Sequence, residues 1–321
     1  MKIVVLDGYL VGFGGIDWSG LSELGELIYY DMASDSGDIA ACIGDADVVC
    51  TNRCPVTAET ISACPGLRLI HSFGTGYSQI DMAAAERAGI VVCNTPAYGR
   101  GAVAQMAAAL LFAAVRNVSA FDRYVKTVGW KESIDPQICS IEQMELTGKT
   151  IGIVGMGDIG YALAKIAAAM DMRVLAYRRR PDSALENDLI RFVDLDSLLR
   201  QSDIVSLHCP LTEQTRGLIG RGSIEKMRPG AVLINTSRGA VVDERAVLAA
   251  LESGKLRTYA TDVFCDEPCG GDNPLALHPH CIATPHVAWS PRETRQKIVD
   301  IAVDNIRAFA AGTPKNLVSA V

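Results

Sequence analysis

Positive charge is in deficit. Lys and Arg number 30 against 37 Asp and Glu, a formal net charge of −7. That balance offers no broad basic surface, which excludes nucleic acid as the main partner. Long apolar runs are missing as well. The longest apolar helical stretch, Ala102 to Val115, is broken by Gln105 and is too short to span a bilayer. Met1 to Leu6 is too short for the apolar region of a signal peptide and runs straight into Asp7. The expectation is a cytoplasmic protein without membrane contact. None of the ten cysteines stands in a C-x-x-C pair, and no cysteine–histidine cluster has zinc-site spacing. The thiols read as small buried hydrophobes and loop residues in a reducing compartment, and no metal is expected. Neither G-x-S-x-G nor a catalytic-cysteine signature occurs. That removes the main nucleophilic hydrolase classes.

What is present centres on Thr150 to Met170. Ile151, Ile153 and Val154 form a short apolar run suited to a buried parallel strand. Gly155, Gly157 and Gly160 follow in G-x-G-x-x-G spacing. Ala162, Leu163, Ile166, Ala167 and Met170 then recur at helical spacing. Between strand and helix, the first glycine permits a tight turn and the second lets backbone approach a pyrophosphate. The third lets the helix pack closely on the sheet, with its N-terminus toward the anion.

A chain of 321 residues is long enough for two domains. The first hundred residues alternate strand and helix. Strands are expected at Ile3–Leu6, Leu27–Tyr30, Val48–Cys50, Leu67–His71 and Ile90–Cys93, and helical pieces at Ile39–Ile43, Ala58–Ala63 and Ile80–Ala88. Asn94 to Gly101 breaks the pattern, and the apolar helix Ala102–Val115, a second near Phe121–Thr127 and an irregular stretch, 129–148, come next. A second series then has six strands, at Ile151–Val154, Val174–Tyr177, Ile204–His208, Val232–Asn235, Tyr259–Val263 and Cys281–Ala283. Opened by the glycine turn, that series describes a dinucleotide fold. The closing helix Arg295–Ala311 comes too late for the second sheet and is expected to return to the first domain, making it discontinuous.

Ligands of open α/β sheets bind beyond the carboxyl ends of the strands. On the second sheet, Arg238 follows Val232–Asn235, Glu267 follows Tyr259–Val263, and His286 follows Cys281–Ala283. Taken singly these read as a surface arginine and an ordinary loop histidine. Three such residues at successive strand ends can converge on one cleft with a cofactor.

At this point the sequence resembles the NAD(P)-dependent D-2-hydroxyacid dehydrogenases over essentially its whole length. The resemblance rests on Gly148 to Gly160, His208 to Thr212, Asn235 to Asp243, Asp262-Val263-Phe264 with Glu267-Pro268, and Thr284-Pro285-His286. Asn94 to Tyr98 and Val103-Ala104-Gln105 look like the glycerate dehydrogenase or hydroxypyruvate reductase branch. The resemblance implies two doubly wound parallel-sheet domains. A Rossmann-type cofactor domain, 99–289, would be inserted in a flavodoxin-like substrate domain, 1–98 and 290–321, with the nicotinamide in the cleft between them. It implies that Arg238 holds the carboxylate and carbonyl of a small 2-oxo acid through its planar fork. His286 would be the general acid in reduction, and Glu267 its hydrogen-bond partner, favouring the imidazolium. Thr75 and Gly76 would offer backbone N–H groups to the substrate carboxylate. Gly155, Gly157, Asp158, Ile159 and Gly160 would meet the cofactor phosphates. His208, Pro210, Thr212, Thr236 and Ser237 would line the rest of the cofactor, with Asp262 at the nicotinamide carboxamide. Hydroxypyruvate and glyoxylate are the expected substrates. A phosphorylated substrate is disfavoured, because Arg53 is the one basic residue in its loop. Two rivals stand on the same scaffold. One is a corepressor or nucleotide sensor, against which the triad argues. The other is formate or phosphite oxidation, although the formate branch carries glutamine where Glu267 stands.

Two further expectations come from the residues. No carboxylate ends the strand Val174–Tyr177; Arg178, Arg179 and Arg180 follow it, with Asp182 beyond Pro181. Guanidinium groups there pair with a 2′-phosphate, so NADP is preferred and NAD remains possible. The helix Ala102–Val115 is too alanine-rich and apolar to lie exposed, which points to a homodimer built on the cofactor domain.

Overall fold

The structure is a computed structural model that describes residues 1–130, 136–180, 185–187 and 190–318. Residues 131–135 of the expected irregular stretch, and Pro181 and Asp182, lie outside the described residues. The chain forms two compact units, Met1–Gly99 with Trp289–Val321, and Arg100–Ala288.

The first unit holds a five-stranded sheet of β1 (Lys2–Val5), β2 (Glu26–Tyr29), β3 (Val48–Thr51), β4 (Leu69–Ser72) and β5 (Val91–Cys93). The order is β2-β1-β3-β4-β5, with every named pairing parallel. That is the flavodoxin-like order. β3 and β4 are buried at every position, as both-face burial demands of central parallel strands. The closing helix runs Arg292–Ala310 and packs on β4 and on two short helices, Gly8–Gly12 and Ser19–Ser22. Those two helices are absent from the sequence reading. At five and four residues they are too short to show an apolar period.

The second unit holds seven parallel strands: β6 (Thr150–Val154), β7 (Arg173–Tyr177), β8 (Ile190–Phe192), β9 (Ile204–Leu207), β10 (Ala231–Asn235), β11 (Leu256–Thr261) and β12 (Cys281–Ala283). Their order is β12-β11-β10-β9-β6-β7-β8, so the winding reverses between β6 and β9. β8 was not expected. It is a three-residue edge strand with Arg191 exposed, which leaves too few positions for a pattern. Period-two alternation splits the core across the sheet. Ile151, Ile153, Val232 and Ile234 pack on one face, and Val154, Leu175, Leu207 and Leu233 on the other.

The helix expected at Ala102–Val115 runs Arg100–Arg116 and explains its own apolarity. Ala104, Ala107, Leu110, Leu111, Ala114 and Val115 are buried against the helix Asp158–Ala168 and strands β10 to β12. Part of its apolar surface is therefore covered within the unit, without a second copy. The large apolar side chains that stay exposed lie toward its end and beyond: Phe112, then Val118 (64% exposed), Val125 (50%) and Val128 on or just after the helix Val118–Thr127, and Trp130 (72%). No single helix among the described residues is long and apolar enough to cross a membrane.

Candidate active site

The carboxyl edge of the second sheet gathers most of the expected residues. At the switch point, β6 is followed by Gly155, whose φ of 101° lies in the region that favours glycine. A Cβ there would meet the Cys209 nitrogen at 2.5 Å and the His208 carbonyl carbon at 2.6 Å. The turns after β6 and β9 therefore touch through bare backbone. A Cβ on Gly160 would strike the Gly155 oxygen at 2.4 Å, so the helix Asp158–Ala168 sits tight on the turn. At Gly157 a Cβ would meet nothing within 4 Å, leaving open space before a helix whose first N–H groups, at Asp158 and Ile159, have no helical partner.

Two buried polar atoms along this edge have no partner among the described residues: His208 Nδ1 and Thr236 Oγ1. Buried polar groups are nearly always satisfied. A ligand seated along the edge would supply what these two lack, and for His208 the unmet atom is in the ring. Its Nε2 lies 2.8 Å from Ser206 Oγ, and burial pushes its pKa down to about 4, which keeps the ring neutral. Pro210 and Thr212 are exposed in a turn closed by Thr215, whose hydroxyl donates to the Pro210 carbonyl at 2.6 Å. After β7, Arg178 is half-buried and Arg179 and Arg180 are exposed. The glycine turn, the open helix start and the two orphaned atoms together fit a dinucleotide.

Three adjacent strands carry the acid–base residues. Neighbouring strands lie about 4.8 Å apart, so the loops after β10, β11 and β12 are close neighbours. After β10, Asn235 Oδ1 accepts from Ser237 N and Oγ at 3.0 and 2.8 Å, and its Nδ2 donates to the Arg238 carbonyl at 3.0 Å. This closed turn leaves Arg238 exposed, one of its terminal nitrogens donating to the Ser237 carbonyl at 2.7 Å. A Cβ at Gly239 would lie 1.9 Å from the Phe264 carbonyl carbon, so the Arg238 turn rests directly on the Glu267 loop. In that loop Glu267 Oε1 accepts from Phe264 N at 2.9 Å, and Glu244 Oε1 accepts from Cys265 N at 2.7 Å. Glu267 Oε2 meets His286 Nδ1 at 2.5 Å, with both side chains about two-thirds covered.

His286 itself has a φ of 54°, unfavourable for a residue with a side chain. Asp262 holds it there. The buried carboxylate accepts from Thr284 Oγ1 at 2.5 Å, Val287 N at 2.9 Å and Ala288 N at 2.8 Å, donors on both sides of the histidine. Asp262 is thus the anchor of the His286 loop, a duty the sequence reading missed. Asn235 and Glu244 escaped it too. The trace of Asn235 was an asparagine at a strand end before Thr-Ser, the composition of a side-chain-closed turn; Glu244 left none. Thr75 and Gly76 belong to the first unit, exposed in the loop after β4, where Thr75 Oγ1 donates to the Thr95 carbonyl at 3.0 Å. Among the described residues no group of three His, Cys, Asp or Glu side chains is arranged to hold a metal, and all ten cysteines are free.

A doubly wound sheet with a glycine turn at its switch point and a Glu–His pair on the same edge defines a dinucleotide-dependent oxidoreductase. Residues 108–288 match the family model described as D-isomer specific 2-hydroxyacid dehydrogenase, NAD binding domain. The chain is 43% identical to hydroxypyruvate reductase of Blautia hydrogenotrophica over 321 residues, covering 99% of this chain and all of that one. It is 37% identical to glycerate dehydrogenase of Methylorubrum extorquens over 91% of each chain. Among solved structures, TT0316 protein from Thermus thermophilus superposes with a TM-score of 0.86 at 32% identity, over 99% of this chain and all of that one. The chain belongs to the D-isomer-specific 2-hydroxyacid dehydrogenase family, oxidoreductases that act on CH–OH donors and use a nicotinamide cofactor.

Proposed function

We propose that this enzyme reduces hydroxypyruvate or glyoxylate at C2 to the D-2-hydroxy acid in the cytoplasm, with NADPH preferred over NADH. A bound nicotinamide supplies the hydride to the carbonyl carbon. Arg238 pairs its fork with the substrate carboxylate and carbonyl oxygen, and backbone N–H groups of Thr75 and Gly76 take the carboxylate as well. As C2 gains the hydride, its π electrons move to oxygen, and His286 Nε2 delivers the proton there. Glu267 accepts from Nδ1, so it fixes the orientation of the ring and leaves Nε2 free to face the substrate. Asp262 keeps the His286 loop in its unfavourable backbone conformation and has one lone pair left for a cofactor amide.

The single observation that carries this reading is the His286–Glu267 contact, 2.5 Å between the ends of neighbouring strands. The name of the Blautia hydrogenotrophica relative supports the substrate. Arg178 and Arg179, at the end of β7, support the 2′-phosphate. We also propose a homodimer through the cofactor domain, covering Val118, Val125, Val128 and Trp130. The test of the activity is turnover across a panel of 2-oxo acids, read as loss of reduced-nicotinamide absorbance. Hydroxypyruvate and glyoxylate are expected at the top; no turnover with any 2-oxo acid would sink the reading.

A further inference from the structure

The loop Phe73–Gly76 of the first unit is held by its carbonyl groups. Gly74 O accepts from Thr95 N at 3.1 Å, Thr75 O from Asn94 Nδ2 at 2.8 Å, and Gly76 O from Ser72 Oγ at 2.7 Å. In a trans peptide, the carbonyl of one residue and the N–H of the next point in opposite directions. Each pinned carbonyl therefore aims one donor away from the protein side: Gly74 O aims Thr75 N–H, and Thr75 O aims Gly76 N–H.

Two of the three pins, from Thr95 N and Asn94 Nδ2, come from adjacent residues whose shared peptide is held from the closing helix. Asn305, on the closing helix, is fully buried, and its Nδ2 donates to the Asn94 carbonyl at 3.0 Å. A carbonyl can only accept, so the orientation of that amide is settled. Its Oδ1 accepts from Asn316 Nδ2 at 2.8 Å. The peptide that carries the Asn94 carbonyl also carries the Thr95 N–H, which donates to Gly74 O. Three planar groups thus lie in series: the Asn305 amide, the Asn94–Thr95 peptide and the Gly74–Thr75 peptide. Each accepts at one end and donates at the other, and hydrogen bonds in such a chain polarise one another.

His71 closes the arrangement. Thr95 Oγ1 donates to the Ser72 carbonyl at 2.9 Å, so at its 3.2 Å contact with His71 Nε2 it accepts. Nδ1 is then left to accept the second Asn305 amide hydrogen, at 3.4 Å. Burial pushes the His71 pKa down to about 3, so that acceptor persists across the working pH range.

From this series we infer that Asn305, with Asn94 one step nearer, is a positioning residue for the substrate carboxylate: it aims the Thr75 N–H through two peptide planes. The inference rests on the proposed role of the Thr75–Gly76 loop. Asn305 touches no substrate, and its effect falls on substrate affinity while the cofactor site, in the other unit, is untouched.

The test compares three variants of the full-length holoenzyme with hydroxypyruvate and the cofactor the wild type prefers. Asn305→Leu is expected to raise KM about tenfold, with kcat within about twofold. The cofactor dissociation constant stays at the wild-type value. Asn305→Asp is expected to raise KM at neutral pH and to recover toward the wild-type value as pH falls, because only the protonated carboxyl donates to the Asn94 carbonyl. A packing role alone gives no such recovery. Gly76→Pro deletes one of the proposed N–H groups and examines the loop itself. If Gly76→Pro raises KM and neither Asn305 variant does, the relay is wrong and the loop assignment stands. If Gly76→Pro leaves KM unchanged while Asn305→Leu raises it, the Thr75 N–H alone carries the contact and the relay stands; if neither raises KM, the loop assignment falls and the relay with it. Should Asn305→Leu fail to fold, Asn316→Gly, which keeps the positive φ of Asn316 and frees the Asn305 amide, carries the same expectation of a raised KM.

Discussion

His286 keeps Nδ1 on Glu267 Oε2, and that contact leaves Nε2 as the ring nitrogen for the proposed proton transfer. His286→Ala should abolish turnover while the cofactor dissociation constant, measured by fluorescence titration, stays near wild type; near-normal turnover would overturn the assignment. Glu267→Gln replaces the carboxylate that accepts from His286 Nδ1 with an amide that can turn its NH2 toward the ring. The ring is then less firmly oriented, and kcat should fall at least tenfold while the cofactor dissociation constant stays at the wild-type value. Wild-type kcat in this variant would show that the contact does not serve turnover. Arg178 is the third residue to test. If guanidinium groups select the 2′-phosphate, wild type prefers NADPH in kcat/KM, and Arg178→Asp reverses or erases the preference. Each charged hydrogen bond contributes on the order of 1.5–3 kcal/mol when sheltered and less at this exposed edge. Wild-type preference for NADH would defeat the charge argument.

At the scale of elements, the site is a set of loops packed backbone against backbone. Glycine is required where two turns touch, and this separates two kinds of glycine that sequence spacing alone treats alike. Gly239→Ala places a methyl 1.9 Å from the Phe264 carbonyl carbon. The Arg238 turn and the Glu267 loop must then part, and kcat/KM should fall at least a hundredfold, with a lower melting temperature. Gly157→Ala places its methyl in open space. Its melting temperature should match wild type while cofactor affinity drops, if the methyl stands where the backbone is proposed to meet the phosphates. Differential scanning fluorimetry with and without cofactor distinguishes the two. If Gly157→Ala is destabilised without cofactor, the open space has been misread.

For the whole molecule the prediction concerns assembly. The long helix Arg100–Arg116 is partly covered within its own unit, so the argument for a dimer passes to Val118, Val125, Val128 and Trp130, large apolar side chains exposed along one short stretch. Wild type should scatter as a dimer at micromolar concentration. Val118→Lys with Val125→Lys should shift it to monomer without loss of secondary structure by circular dichroism. A wild-type monomer would remove the proposal. An alanine-rich helix signals burial and does not say which partner buries it.

The sequence by itself determined what local chemistry controls. The glycine turn after β6 was legible because strand, glycines and helical period occur in one unbroken segment, and the placement of Arg238, Glu267 and His286 on one sheet edge was legible because each follows a strand. Edge strand β8 and the helices Gly8–Gly12 and Ser19–Ser22 were not, because three to five residues carry too little periodicity. Tertiary structure alone decided the duties of Asp262, Asn235, Glu244 and Asn305. A buried carboxylate or amide acts through whatever donors and acceptors the fold brings to it. For Asn305 those are the Asn94 carbonyl, 211 residues away, and the His71 ring, 234 residues away. Such contacts leave no period or spacing in the chain, because a hydrogen bond depends on distance in space and not on distance in sequence.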